Sequence, residues 1–345
     1  PNCAWVDLYC NGNYQGIYLL TESKKRNLDS DAQWLLEKTH KSRLSDTEEA
    51  ASFTTEMGYL FQAEKTADGF LENVSDAAAY IQRIEDLIAA GDTAYREYLD
   101  LDSLARKFLL EKIVMNYDAM GASAYFILDG EGRLSSGPAW DYDNSFATSG
   151  FFSYTSPIES VPDEMTGWFN VLYEDSQFRS YMTDAYRELL PWLKYMLEEG
   201  IDACSEEISA SVSMDLERWG MARNRMYLYE EYDNYIRYLK FFLSRRLNYL
   251  NEIWEIDGAS FQDPPVTGEI HTVTFQSEDG SVLETLQVPD GTCLEGLLPS
   301  LDKERFYSSW FYPGMDKDYS AFVPVYEDLT LCARERESDE ENTDS

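Results

Sequence analysis

Positive charge is scarce in this chain. Lys and Arg number 28 against 64 Asp and Glu, for a net charge of −36. Nucleic acid is excluded as a partner, because no basic surface is available to offset phosphate repulsion. An anionic membrane surface is excluded for the same reason. A basic protein partner or a salty extracellular setting fits better, and the simplest effect of the acidity is solubility. Histidine is nearly absent: His40 and His271 stand far apart with no Ser or Cys motif beside either, which argues against a His-dependent triad. Five cysteines (Cys3, Cys10, Cys204, Cys293, Cys332) form no CxxC pair. The odd count argues against a disulfide framework, and the spacing against structural zinc. Cys3 and Cys10 lie seven apart in one strand region, point to opposite faces, and are not expected to pair. No apolar run reaches 18 residues, so no transmembrane segment is expected in this chain. The chain opens at Pro1-Asn-Cys-Ala-Trp, already close to a strand, and a secretion signal is expected upstream.

What is present is ample material for a core. The chain has 345 residues, 44% hydrophobic and 14% aromatic, with 25 tyrosines. That length suits one large domain and one small one. Trp5 to Cys10 and Tyr14 to Leu20 read as strands around an Asn11-Gly-Asn13 hairpin turn. Short strands are predicted at Trp34–Leu36 and Tyr59–Glu64, with a polar loop over 41–52. A helix capped by Ser75 should run to Ala89, burying Ala78, Ile81, Ile84 and Ile88. A second should start at Asp102 and bury Leu104, Phe108, Ile113 and Met115. Further helices are predicted at 178–195, broken or kinked at Pro191, at 201–219, and at 230–254. In the last, Ile236, Leu239, Phe242 and Leu243 are the core candidates. Pro264-Pro265 marks a linker, a β pattern begins at His271, and the acidic tail is expected to lack fixed structure.

The chemistry is concentrated between the second helix and the segment after the next hairpin. Glu111-Lys-Ile-Val-Met-Asn-Tyr-Asp118 leads to Tyr125-Phe-Ile-Leu128, a Gly-rich turn, and Trp140-Asp-Tyr-Asp143. One carboxylate then closes a helix and two follow a hairpin, all directed toward one point. Clustered carboxylates repel unless a cation sits among them, which points to Mg²⁺ or Mn²⁺ with a phosphate. Asp141 and Asp143 alternate on an extended segment and share a face. That close spacing suits a metal better than glycoside hydrolysis, which needs two carboxyls flanking a sugar.

These residues resemble the CotH (spore-coat protein H) family of atypical, secreted-type protein kinases. The carriers are Gly16-Ile-Tyr-Leu-Leu-Thr-Glu22, Asn116-Tyr-Asp118, Ser123-Ala-Tyr-Phe and Gly137-Pro-Ala-Trp-Asp-Tyr-Asp143, with Leu35-Leu-Glu37, Phe53-Thr-Thr55 and Phe242 to Leu250 in agreement. The resemblance implies an α+β, kinase-like domain over 1–254, its N-terminal lobe incomplete. A linker over 255–267, a β-grasp surface repeat over 268–336 and an acidic tail over 337–345 would follow. By the kinase template, Asp118 orients or deprotonates the acceptor hydroxyl, while Asp141 holds the metal with Asp143 and Ser123 as helpers. Leu20 and Glu22 end the strand that would meet ATP. Asn116 and Glu111 would support the loop from behind. Ser123 stands where the wider kinase pattern has Asn, and Ala147 where Gly is usual. The lysine that normally holds the α- and β-phosphates has no counterpart beyond Lys24, Lys25 or Lys38.

Residues 268–336 resemble a bacterial surface repeat of the internalin B-repeat type, carried by Val273-Thr-Phe275, Gly280, Val288, Gly291, Trp310 and Thr330 to Ala333. The resemblances together imply phosphorylation of Ser/Thr on a protein, basic or Ser/Thr-rich, at an extracellular or bacterial cell-surface location. The alternative is a surface-binding scaffold built on a degenerate kinase fold. Outside the site, Trp140 is expected in the core, Arg245 and Arg246 are expected to pair with acids, and Lys24-Lys-Arg26 reads as a solvated turn.

Overall fold

The structure is a computed structural model that describes residues 2–23, 34–45, 51–64, 74–116, 122–128, 132–142, 145–147, 158, 168–220, 229–303, 305–314 and 318–335. In chain order the first strands are β1 (Cys3–Cys10), β2 (Asn13–Thr21), β3 (Trp34–Thr39), β4 (Ser52–Thr54) and β5 (Leu60–Glu64). Then come helices α1 (Ser75–Ala89) and α2 (Leu101–Val114), strands β6 (Ala124–Leu128) and β7 (Leu134–Ser136), and helices α3 (Trp168–Glu174), α4 (Ser176–Tyr195), α5 (Ile201–Trp219) and α6 (Tyr232–Ile253). The C-terminal strands are β8 (Ile270–Ser277), β9 (Val282–Pro289), β10 (Thr292–Cys293), β11 (Phe306–Phe311), β12 (Pro324–Val325) and β13 (Leu329–Glu335). The protein is a mixed α+β molecule, as the sequence pattern implies.

The β1–β2 hairpin forms because Asn11 and Gly12 both take positive φ (52° and 79°), which matches the twist of two antiparallel strands. It packs on α5: the Ile17 N–H donates to Asp215 Oδ1 at 2.8 Å, and Trp219 Nε1 donates to the Gln15 carbonyl at 2.8 Å. Gly16 permits this approach, since a Cβ there would lie 2.6 Å from Trp219 Nε1.

The central antiparallel sheet has the order β4-β5-β3-β6-β7 and is backed by α1 and α2. Helix α1 buries Ala77, Ile81, Ile84, Leu87 and Ile88; Ala78, expected in that stripe, is only half-buried. Ser75 is its first residue rather than its cap, because Val74 already has helical dihedrals (φ −79°, ψ −8°). Helix α2 starts earlier than Asp102, at Leu101, with the Asp100 carboxylate accepting from the Ser103 N–H at 3.2 Å. It is buried nearly all round, including the polar residues Lys107, Glu111 and Lys112. Pro191 does not end α4; the irregularity comes five residues later, as a π-helical turn over Met196–Gly200. Pro191 and Arg187, whose carbonyl loses its helical partner, both face solvent, so water can satisfy that carbonyl.

The C-terminal sheet has the order β11-β13-β8-β9, with β8 and β13 parallel at its centre. Val273, Phe275, Leu331 and Ala333 are fully buried there. Their core continues into α6 through Tyr238, Phe241 and Phe242, and on to Met115 and Ala147. The segment between α6 and β8 is strapped back along the helix: Asn248 bonds both the N–H and the carbonyl of Phe261, and Asn251 donates to the Ala259 carbonyl. Arg245 pairs with Asp263 at 2.7 Å as expected. The described partners of Arg246 are backbone carbonyls. Fully buried, it donates to the Lys112 carbonyl at 2.7 Å and to the Ile158 carbonyl at 2.9 Å.

A polar clasp joins α6 to the C-terminal sheet. Arg237 makes two bonds to Asp290, and His271 Nε2 lies 3.0 Å from the same carboxylate. Burial alone would raise the Asp290 carboxyl, but bonds from Arg237, the Thr267 N–H and His271 outweigh it and hold the pKa at about 2. The unfolded chain titrates near the ordinary carboxylate value, about 4. This contribution is therefore complete above that value and is lost as pH falls toward 2. Asp290→Asn is expected to flatten the acid limb between about pH 4 and pH 2, read as unfolding temperature against pH.

Candidate functional site

The site is built where α2 ends. Met115 leaves the helix in the left-handed region (φ 49°), its N–H bonded to the Glu111 carbonyl, and Asn116 is buried immediately after. Asp118, two residues on, lies outside the described residues. Ser123 leads into β6, which pairs with β3 and, across the turn, with β7. Gly137 then crosses close over β6: its N–H donates to the Tyr125 carbonyl at 2.7 Å, and a Cβ there would sit 2.5 Å from Tyr125 Cβ. This tight exit aims the next residues back at the helix. The return is closed by the Phe146 N–H, which donates to the Val114 carbonyl at 2.7 Å.

Two of the four residues read as catalytic or metal-binding are thereby brought together. Ser123 Oγ donates to Asp141 Oδ2 at 3.1 Å. Both residues hold positive φ, 57° and 63°, a conformation costly for side chains other than glycine and concentrated at functional sites. Asp143 lies outside the described residues. Trp140, expected in the core, is 39% exposed, because the segment it shares with Asp141 runs along the surface.

Glu111 supports this segment from below. Its carboxylate is fully buried, 2.7 Å from Lys107 Nζ and 2.7 Å from the Tyr142 hydroxyl, which donates to it. Lys107 also donates to that hydroxyl at 2.9 Å, closing a triangle. Burial and then the Glu111 charge push the Tyr142 phenol well up, so it stays protonated and keeps donating. Asp141 is the neighbour of the residue so anchored. Further along, Tyr238 donates to the carbonyls of Phe146 and Ala147, which sit at φ 58° and 51°. Ala147 occupies a left-handed position that glycine would take without steric cost.

The remaining predicted residues sit on the first hairpin. Leu20 is 63% exposed near the end of β2. Glu22 accepts from the backbone and side-chain amides of Asn2 at 3.0 and 2.9 Å.

Three participants escaped the sequence reading. Lys107 and Glu111 carry the i, i+4 spacing of a helical ion pair, so that signal was available. Tyr142 lay inside the quoted motif without a role. Arg43, whose Nη1 donates to Ser123 Oγ at 2.9 Å, stands 80 residues away in sequence and has no local signature.

A carboxylate and a hydroxyl are hard oxygen donors of the kind Mg²⁺ or Mn²⁺ takes, so the pair fits the expected cation. Ser123 spends its proton on Asp141 and one lone pair on Arg43, which leaves a single lone pair for a metal. Asp141 is the stronger donor. Among the described residues no three His, Cys, Asp or Glu side chains form a metal cluster.

A mixed α+β fold that returns a carboxylate from a β-hairpin to the end of a buried helix defines the class: a kinase-like protein. The sequence profile of the family described as CotH kinase protein matches residues 1–250, and the chain belongs to that family. No curated protein matches the chain. Kinases of this family use ATP and a divalent metal in general. Among the described residues no helix is long and apolar enough to cross a membrane.

Proposed function

We propose that the protein transfers the γ-phosphoryl group of ATP to a Ser or Thr hydroxyl of a protein at the bacterial surface or outside the cell. The observation that carries this reading is Asp141, held by Ser123 on one side and seated beside Tyr142, which Glu111 and Lys107 anchor at the end of α2. Asp141 is the principal metal ligand, with Ser123 and Asp143 as helpers. Asp118 orients the acceptor hydroxyl and takes up its proton. Leu20 and Glu22 contact the nucleotide, and Asn116 fixes the backbone that follows α2. A bound Mg²⁺ or Mn²⁺ neutralises charge on the phosphate oxygens. The C-terminal sheet, with its parallel central pair flanked by antiparallel strands, supports the β-grasp surface-repeat reading and, through it, the surface location.

A scaffold without catalysis is favoured by one observation: Arg43 already brings a guanidinium to the partner of Asp141. Calorimetry with Mg²⁺–ATP and Mn²⁺–ATP, beside transfer of labelled phosphate to proteins of the same envelope, separates the two. Metal-dependent binding with transfer is expected. ATP binding indifferent to chelator, with no transfer, would leave the scaffold.

A further inference from the structure

The segment that carries Asp141 ends on two residues in a costly conformation. Phe146 and Ala147 stand side by side at φ 58° and 51°, and neither is glycine. Such a pair persists only where its surroundings hold it. One holder lies on α2, where the Val114 carbonyl accepts from the Phe146 N–H. Others lie on α6. The Tyr238 hydroxyl, on a fully buried side chain, is shared between the carbonyls of Phe146 and Ala147 at 3.2 and 3.4 Å. The Phe146 ring packs edge-on against Phe242, with centroids 5.6 Å apart.

The half of α6 that bears Tyr238 is in turn fixed by the C-terminal sheet. Glu231, the residue before the helix, makes no side-chain cap bond. Glu327, two residues beyond β12, grips the entry instead. Its carboxylate accepts from the Glu230 N–H at 2.6 Å, the Glu231 N–H at 3.3 Å and Asn234 Nδ2 at 2.9 Å. Tyr229 donates to the Pro324 carbonyl at 2.7 Å, and its ring neighbours those of Tyr326 and Tyr238, with centroids 5.6 and 6.1 Å away. Burial, and then the neighbouring tyrosines, push the Tyr229 phenol well up, so it stays protonated and keeps donating. Arg237, next to Tyr238, is bound by Asp290. One buried cluster therefore extends from Val325 and Tyr326 through Tyr229 and Tyr238 to Ala147.

We propose that the C-terminal sheet is a positioning element of the phosphoryl-transfer site: through Glu327 and Tyr229 it sets the first half of α6, and from there Tyr238 locks the Phe146–Ala147 pair, so that Asp141 stays directed at the end of α2. Tyr238 is a positioning residue in this scheme. It acts through the segment and touches no reacting atom. The consequence for phosphoryl transfer rests on the kinase reading; the mechanical link between sheet and segment does not.

The test uses the whole protein. Hydrogen exchange without nucleotide reads the Phe146 amide, whose bond to Val114 closes the segment. Tyr238→Phe removes the bonds to both carbonyls and keeps the ring, so exchange there should rise about 3- to 10-fold, the scale of one neutral hydrogen bond. Glu327→Ala alters only the sheet side and should raise exchange at the same amide by a smaller factor. The double variant should show less than the product of the two, because both release one segment. In transfer assays Tyr238→Phe should lower kcat by a similar factor and leave the KM for the acceptor unchanged, since the segment holds the metal rather than the acceptor. Ala147→Gly on the Tyr238→Phe background should bring transfer back toward wild type, because glycine holds φ 51° without steric cost. A general loss of stability would not be repaired that way. Phe146 exchange indifferent to either variant overturns the proposal. So does an equal rise across β8 and β13, which would mark general loosening, and so does increased exchange in both variants with transfer undiminished. A wild-type protein that transfers no phosphate, with exchange still following both variants, would leave the link standing and remove the kinase reading.

Discussion

Asp141→Asn should reduce phosphoryl transfer at least about 10²-fold, the scale of losing one preorganised electrostatic contact to a developing charge. Metal-dependent ATP affinity should fall with it. The fold should remain, with stability within about 0.5 kcal/mol of wild type, because Asp141 is exposed. Asparagine is the informative substitute. It keeps an oxygen to accept the Ser123 hydroxyl, and it tolerates the left-handed backbone (φ 63°) that the position imposes. Alanine would add backbone strain and blur the result. Calorimetry and labelled transfer on the same preparation check the first part, and thermal unfolding the second. A variant that binds Mg²⁺–ATP with undiminished affinity would remove Asp141 from the metal site.

Lys107→Met should be the most destabilising of the changes considered, by about 3–5 kcal/mol, the cost of stranding a buried charge. The Glu111 carboxylate has no exposure. Without Lys107 its Oε1 retains only the Tyr142 hydroxyl, and its Oε2 has no hydrogen-bond partner among the described residues. Replacing both ends, as Lys107→Met with Glu111→Leu, should recover much of the loss, since the charge is then gone rather than unpaired. Denaturant unfolding of the two single variants and the double variant gives the coupling directly. The double variant carries a second expectation. With Tyr142 deprived of both partners, Asp141 should be less well held, so phosphoryl transfer should remain depressed where stability has recovered. Restored activity together with restored stability would make the triangle purely structural.

Much of the architecture was legible because its signals are periodic and local. The Asn11-Gly12 turn, the apolar stripe of α1 and the span of α5 follow from side-chain spacing and from residues that accept positive φ. What was missed had other causes. The start of α1 shifted because Val74, not Ser75, makes the entry into helical dihedrals. The three-residue β4 and the two-residue β10 and β12 are too short to carry a period and exist because neighbouring strands pair with them. Pro191 lies on an exposed helix face, where the lost backbone bond is cheap, so the expected break did not fall there. Arg246 is drawn inward by the carbonyls of Lys112 and Ile158, which no spacing rule reveals. In the site, Asp141 and Ser123 were read from their order around a hairpin, and they lie within hydrogen-bond distance of each other. Asp118 and Asp143, read from the same order, lie outside the described residues.

The sequence by itself determined the α+β character, the positions of the main helices and the family, because hydrophobic period, turn chemistry and an ordered motif all act over short separations. Only the tertiary structure decided that Arg43 reaches Ser123 and that Tyr142 closes a buried triangle with Lys107 and Glu111. Those are contacts between segments about 30 to 80 residues apart. Their geometry is set by how the sheet and α2 pack, and packing leaves no trace in local spacing.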